Sequence, residues 1–382
     1  MIIRVFFCGF APITFGMTPA YPKHYSKTKM DAFYEKIMRP ILFKQNPEAA
    51  HDMALQAMKI VGAVPPLRAV MEYLNLIKTE KPVNVFGLEF PNRVGLAAGF
   101  DKDAYAFRAA AAFGFGHIEI GTVSMLKQPG NPKPRIFRYP DLEAVVNSCG
   151  FPNDGAEEIA ARLASTVSKS ATKRRPLGIN IGKSKITDLD KAADDYLFSF
   201  NALADYADFF VINVSSPNTP ELRRLQGRDF LPNLLGAVSK ANDDRAKKLS
   251  SKRIPIVLKI APDLTFTEID SIIEILQSFK LDAICATNTT VERARENMQP
   301  KGGMSGAPLF EKSLGIVRYI SKATDGKLPI IAVGGITNTE RAGAMMDAGA
   351  SLVQIYTGMI FRGPFFARSI AKSLLWRDSD WV

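Results

Sequence analysis

Histidine and cysteine are scarce in this chain, three of each in 382 residues. His24, His51 and His117 lie far apart, as do Cys8, Cys149 and Cys285, and none has the close spacing of a metal-ligand set. Scattered cysteines also argue against a disulfide framework and for a reducing compartment. The apolar start, MIIRVFFCGFAPITFGM, is interrupted by Arg4 and Pro12 and falls short of the roughly 20 apolar residues that a spanning helix needs. It reads as a membrane anchor, a cleaved targeting segment, or sequence upstream of a start at Met17 or Met30; no small-residue cleavage site separates these. A Gly-x-Gly-x-x-Gly turn is missing too, since GLAAGFDKDA does not fit it, which weighs against a doubly wound dinucleotide-binding sheet. No nucleic-acid module or aromatic-interleaved basic stripe occurs. The net charge of +11 therefore suits an anionic membrane face or an anionic substrate, scattered solvated lysines being the plainest account.

What is present is an ordinary globular composition, 47% hydrophobic and 23% charged, with ample length for a large core. Residues 18–30 are polar and proline-broken and read as a linker. A helical pattern follows. Asn46-Pro47-Glu48 is a good helix start, Met53, Ala54, Ala57, Met58 and Val61 recur at helical spacing, Gly62 and Pro65-Pro66 break the pattern, and a second apolar helix runs to about Leu76. The pair reads as core-packing helices or as an amphipathic pair on a membrane; methionine-rich faces also fill cores, which favours the first.

From residue 83 short apolar runs alternate with helical patterns. The runs are Val94–Ala97, Ile118–Gly121, Leu177–Ile181, Phe209–Val214, Ile256–Ile260, Ala283–Thr287, Ile330–Val333 and Leu352–Tyr356; helices are expected over 154–167, 191–205, 231–248, 266–279, 311–323, 337–348 and 359–375. Near-continuous apolar runs imply strands buried on both faces, and about eight βα units in some 300 residues imply an α/β fold of the (β/α)8 barrel type. The chain divides on this reading into 1–30 (apolar start and linker), 31–80 (helical extension) and 81–382 (barrel).

Barrel chemistry sits where strands end. Asn180, Asn213 and Asn288 occupy or follow three strand ends, Lys102 and Lys259 two, with Thr122, Thr287, Thr289 and Thr357 nearby. Asparagine suits strands poorly, and a buried amide without partners costs about 1–3 kcal/mol, so their convergence favours a polar ligand. Gly334-Gly335 and Thr357-Gly358, after the last two strands, can offer backbone N–H groups to a phosphate. One phosphate, a mouth of amides and a strand-end lysine together suit flavin mononucleotide (FMN).

The strings AAGFDKD, IEIGTV, GINIGK, INVSSPNTP, LKIAPDL, ATNTT, GGMSGAPL, AVGGI and GASLVQIYTG, in this order from about residue 83 to 370, resemble dihydroorotate dehydrogenase. The helical segment ahead of them resembles that of the membrane-associated, quinone-using class 2 enzymes, whose class 1 relatives have cysteine where this chain has Ser216. The resemblance implies oxidation of dihydroorotate to orotate in pyrimidine synthesis, with FMN as hydride acceptor and a membrane quinone as final acceptor. It implies FMN contacts from Ala98, Gly99, Lys102, Thr122, Asn180, Asn213, Lys259, Thr287, Gly306, Gly335, Tyr356 and Thr357. Dihydroorotate would be held by Lys102, Asn147, Asn213, Asn218, Asn288 and Thr289, and the quinone head would lie near His51, Arg138 and Tyr356. It places the protein peripherally on the inner membrane, on the cytoplasmic side in a bacterium, or on the mitochondrial inner membrane in a eukaryote.

Ser216 stands in INVSSPNTPELRRL, a stretch with no histidine, cysteine or aspartate. Alone, a serine before proline reads as a turn residue. The resemblance makes it the base that takes the substrate's C5 proton, and since a free hydroxyl is a poor base, its own proton needs an outlet. In the family a water near a threonine and a phenylalanine relays it, and Thr219 and Phe151 match. The chain departs from the family at Asn147-Ser148-Cys149-Gly150-Phe151-Pro152, where the family reads Asn-Arg-x-Gly-Phe-Asn, and at Ala307, where it reads a basic residue. These changes bear on loop closure and rate. Two other readings stay open: an FMN barrel acting on another cyclic amide, and a catalytically quiet flavin-binding membrane protein.

Overall fold

The architecture comes from a computed structural model that describes residues 29–77, 82–167 and 175–379. The apolar start and most of the expected linker lie outside the described residues. The first strands form a hairpin, β1 (Val83–Val85) and β2 (Leu88–Phe90). They are followed in chain order by β3 (Val94–Leu96), β4 (His117–Val123), β5 (Ile136–Tyr139), β6 (Ala144–Asn147), β7 (Leu177–Ile181), β8 (Phe209–Asn213), β9 (Ile256–Ile260), β10 (Ala283–Ala286), β11 (Gly303–Gly306), β12 (Ile330–Val333) and β13 (Leu352–Ile355). Eight of them close into a parallel barrel in the order β3-β4-β7-β8-β9-β10-β12-β13.

All eight expected runs are barrel strands. Their continuous apolar character follows from burial on both faces: outward residues such as Ile179, Ile212 and Leu258 pack under the helices, while inward ones such as Val211, Val257 and Ile331 fill the ring. Each such side chain, fully buried, contributes about 1.5–3 kcal/mol. The hairpin, which the sequence analysis does not read, closes the far end of the ring. Phe90 sits edge-on to His117 at 5.4 Å, and Phe86 lies 5.6 Å from Phe209. At the opposite rim two insertions meet: β11 pairs antiparallel with β6, and β6 with β5, so that Asn147 faces Gly303.

The extension begins as a helical segment over residues 29–43, with a π-helical turn at Tyr34–Met38. The helices Pro47–Ala63 and Pro65–Asn75 follow. The Asn46 side chain caps the first, its Oδ1 accepting the N–H groups of Glu48 and Ala49. Gly62 is no break, because the helix runs through it and packs there on Arg108 and Ala109, where a Cβ would lie 3.2 Å from each. The break falls at Val64, held extended ahead of Pro65. The expected helix over 359–375 is two helices, Thr357–Arg362 and Phe366–Ser379, parted by Gly363 and Pro364. Gly363 has φ 93°, and a Cβ there would strike the Tyr34 ring. Tyr34 donates its hydroxyl to Ile360 O at 2.8 Å and Arg39 reaches Phe361 O at 2.9 Å, so the extension is seated on the chain that leaves the last barrel strand.

The extension is not the core-packing pair favoured on pattern alone. One face packs on the barrel through Met58, Ala54 and Val61, but thirteen of the nineteen exposed large apolar side chains among the described residues lie between Met30 and Leu76. That concentration makes it an amphipathic surface element. Among the described residues no helix is long and apolar enough to cross a membrane.

Candidate active site

A cavity of about 620 Å³ lies between the extension and the barrel mouth, within the range of small-molecule sites. Its walls join two chemistries. Met30, Phe33, Met53 and Met71 contribute an apolar flank from the extension, and the strand ends contribute amides, hydroxyls and ammonium groups. Every flavin residue implied by the resemblance lines it except Asn180, and so do all six implied substrate residues, Ser216, Phe151, and the three implied quinone residues. Asn180 lies one layer deeper, and Thr219 is buried behind the wall.

Periodicity explains the convergence. Alternate residues of a strand share a face, and the last inward position of each barrel strand lands at the rim. The amides there are mutually engaged. Asn213 Nδ2 donates to Thr122 Oγ1 at 2.9 Å and to Asn180 Oδ1 at 3.1 Å. Asn218 Nδ2 donates to Asn147 Oδ1 at 3.1 Å, and Asn288 Nδ2 to Ser215 Oγ at 2.9 Å. Lys102 Nζ donates to Gly99 O at 2.6 Å. Such a lining can match both the donors and the acceptors of a planar cyclic amide.

Two observations fit a flavin to this lining. Lys259, nearly buried, is ion-paired to Glu119 at 3.1 Å. Burial alone would lower its pKa, but Glu119 outweighs it and the value is raised, so a fixed positive charge lies at the wall. Gln354, also on the wall, keeps its Oε1 buried without a hydrogen-bond partner, which a polar ligand can satisfy. The glycine pair after β12 is sterically required. Gly334 and Gly335 have φ 124° and 72°, and a Cβ on Gly335 would meet the Phe310 backbone at 2.5 Å.

Among the described residues, no acidic or basic side chain lies at hydrogen-bond distance from Ser216; its Oγ accepts the Asn218 N–H at 3.2 Å. Thr219 Oγ1 is buried without a hydrogen-bond partner. Phe151 reaches the wall from a loop in which it and Gly150 take φ 52° and 69°. That loop carries Ser148 where the family reads arginine, and other side chains hold it. Asn131 Nδ2 donates to Ser148 O at 2.9 Å, Gln128 Nε2 to Phe151 O at 2.9 Å and Arg135 Nη1 to Cys149 O at 3.5 Å, while the same Nη1 braces the neighbouring loop at Pro129 O (2.8 Å) and Asn131 O (3.0 Å).

His51 Nε2 pairs with Phe100 O at 2.9 Å, and its ring lies edge-on to Phe100 at 5.2 Å. Arg138 stacks over Phe43 and donates to the carbonyls of Leu42, Phe43 and Gln45, so it also caps the C-terminal end of the helix Arg39–Phe43. Glu119, Gln354 and Arg135 are not among the residues expected from sequence; Glu119 and Gln354 each left a signal, a polar residue inside an otherwise apolar strand run.

The family model for dihydroorotate dehydrogenase matches residues 81–377. The chain belongs to the dihydroorotate dehydrogenase family. A quinone-type dihydroorotate dehydrogenase of Acidithiobacillus ferrooxidans is 45% identical over 347 residues, covering 89% of this chain and 94% of that protein. One from Natronomonas pharaonis is 43% identical, covering 89% and 93%. The crystal structure of the Eimeria tenella dihydroorotate dehydrogenase in complex with ferulenol superposes with a TM-score of 0.80 at 36% identity, covering 90% of this chain and 95% of that one. An alignment of 347 residues exceeds the length of the barrel region, so the match takes in part of the extension as well as the barrel.

Proposed function

We propose that this chain oxidises dihydroorotate to orotate with FMN bound at the barrel mouth and passes the electrons to a membrane quinone. The observation that carries the reading is that one cavity has both a polar wall of amides and lysines and an apolar flank from the extension. The polar wall suits a charged cyclic amide and the apolar flank a quinone; the family is named for the first reactant and the quinone-type relatives for the second. FMN supplies the hydride acceptor and the link between the two half-reactions.

The chain's own residues bind, orient and move a proton. Asn147, Asn213, Asn218, Asn288 and Thr289 pair with the ring amides, and Lys102 meets the carboxylate. Ala98, Gly99, Thr122, Asn213, Lys259, Thr287, Gly306, Gly335, Tyr356 and Thr357 hold FMN, with Asn180 supporting Asn213 from beneath. Ser216 takes the C5 proton, and the Asn218 N–H donated to its Oγ favours the deprotonated oxygen. The proton leaves toward Thr219, with Phe151 excluding bulk water. His51, Arg138 and Tyr356 border the quinone head.

Residues 31–80 then act as a peripheral membrane element, on the inner membrane of a bacterium or a mitochondrion, and residues 81–382 as the catalytic barrel. The exposed apolar side chains of the extension support this. Anaerobic titration of the purified protein with dihydroorotate tests the proposal. Its yellow colour should bleach and return on adding a quinone, whereas a bound flavin that dihydroorotate leaves oxidised would favour the flavin-binding but catalytically quiet alternative.

A further inference from the structure

Beneath the cavity lies a carboxylate that the chemistry above does not use. Glu119 is fully buried in the middle of β4. Its Oε1 accepts from Asn180 Nδ2 at 2.7 Å and from Lys259 Nζ at 3.1 Å, and its Oε2 accepts from Gln354 Nε2 at 2.7 Å. Side chains from β4, β7, β9 and β13 thus meet on one group. Packing alone does not call for it, because apolar residues of equal volume often replace a buried ion pair without loss of stability. Two of the three partners, Lys259 and Gln354, reach the cavity wall, while Glu119 does not. The carboxylate therefore orders groups that face the ligand without touching it.

We infer that Glu119 is a positioning residue that acts through Lys259, fixing the ammonium beneath the flavin and offsetting its charge, so that bound flavin is harder to reduce than over an unpaired lysine. The inference rests on the flavin reading of this cavity.

The other groups around Lys259 leave Glu119 as its counter-ion. Cys285, beside it on β10, is buried and its thiol is pushed up to about 12. His117, two residues before Glu119 on the same inward face, is pushed down by burial to about 3. Both are neutral near pH 7. The inward residues facing from β8, β12 and β13, namely Val211, Asn213, Val333 and Gln354, do not titrate. Lys102, at the rim, and Arg138, on the flank of the extension, are the other cationic side chains of the wall. With Glu119 gone, burial is left to act on Lys259, and it acts downward.

The test is the midpoint potential of the FMN-loaded protein, followed from about pH 6 to pH 9, for wild type, Glu119→Gln, Lys259→Met and the double variant. In Glu119→Gln the potential should rise at the acid end by the equivalent of about tenfold in the reduction equilibrium, about 30 mV for a two-electron couple. The rise should fade toward the alkaline end as Lys259 loses its proton, an inflection that wild type lacks. In the Lys259→Met background the Glu119→Gln change should no longer move the potential. A flavin-loaded Glu119→Gln protein with the wild-type potential and pH profile overturns the inference, as does an equal shift in the Lys259→Met background. Should Glu119→Gln not accumulate folded, Glu119→Asp keeps the charge and withdraws it. A smaller shift of the same sign then supports the role, and an unchanged potential overturns it. A wild-type chain that takes up no flavin overturns the flavin reading first and this one with it.

Discussion

Arg135 holds Glu48 with two nitrogens, Nε at 3.1 Å and Nη2 at 2.7 Å from one carboxylate oxygen. The same guanidinium braces the loop of Pro129 and Asn131. One side chain thereby ties the first turn of the helix Pro47–Ala63 to the loop beside Phe151. Glu48→Ala would leave a nearly buried cation without its counter-ion. Truncating one partner of a buried pair costs about 3–5 kcal/mol; here the bracing carbonyls and the partial exposure of Glu48 reduce that to about 2 kcal/mol. Urea unfolding should show this loss, together with a raised KM for dihydroorotate; an unchanged midpoint would remove the coupling.

The Glu48 ion pair also has a pH signature. Burial opposes the ionised carboxylate, but Arg135 and Lys133 outweigh it and hold the pKa below its ordinary value. A depressed folded-state pKa stabilises the protein above the ordinary carboxylate range and loses that contribution as pH falls. Acid unfolding of Glu48→Gln should therefore show a shallower loss below about pH 4.5 than wild type.

His117 gives a second signature, at higher pH. Burial lowers its pKa from 6.5 to about 3. The unfolded chain takes up a proton below about pH 6.5 and the folded chain does not, so stability falls with pH through that window. The expected slope is about 1.4 kcal/mol per pH unit. Urea midpoints between about pH 6.5 and 5 should fall less steeply in His117→Gln; parallel slopes would place the proton uptake elsewhere.

Ser216→Ala should bind FMN normally and lose about 10²- to 10⁴-fold in the rate of flavin reduction by dihydroorotate, the usual yield of a positioned base. Near-normal turnover would remove Ser216 from that role. Its legibility was partial. The residue alone reads as a turn serine and only the resemblance points to a base, while the burial of the unpartnered Thr219 hydroxyl appears only in three dimensions.

Charging the outer face of the extension should separate membrane binding from chemistry. Ile60 and Val70 are exposed and lie outside the cavity lining. Ile60→Asp with Val70→Asp should weaken sedimentation with anionic vesicles about tenfold or more, while orotate formation with a soluble dye acceptor stays intact. Equal sedimentation of both proteins would argue against this face as the membrane contact.

The barrel was legible because parallel strands buried on both faces carry an apolar run that needs no partner to be recognised. The antiparallel pieces were not. Ile136–Tyr139 is half-buried throughout, and Gly303–Gly306 has almost no side chains to pattern. The hairpin left a faint trace in the alternation of Val-Asn-Val and Leu-Glu-Phe around Phe86-Gly87. The strand-end residues were legible as types, while the layer beneath them was not. Glu119 and Gln354 meet across 235 residues of chain, a distance over which periodicity carries no signal.

Among the described residues, the aromatic stopper of Phe86, Phe90, His117 and Phe209 fills the end of the barrel away from the cavity, which leaves the mouth as the way in. Traffic must therefore be sorted by polarity on its two sides. On the proposed function, a greasy electron carrier would slide in from a lipid leaflet along the methionine-lined flank, while the water-loving anion would come and go past the asparagines. Two reactants that share no solvent can thus be served by one mouth.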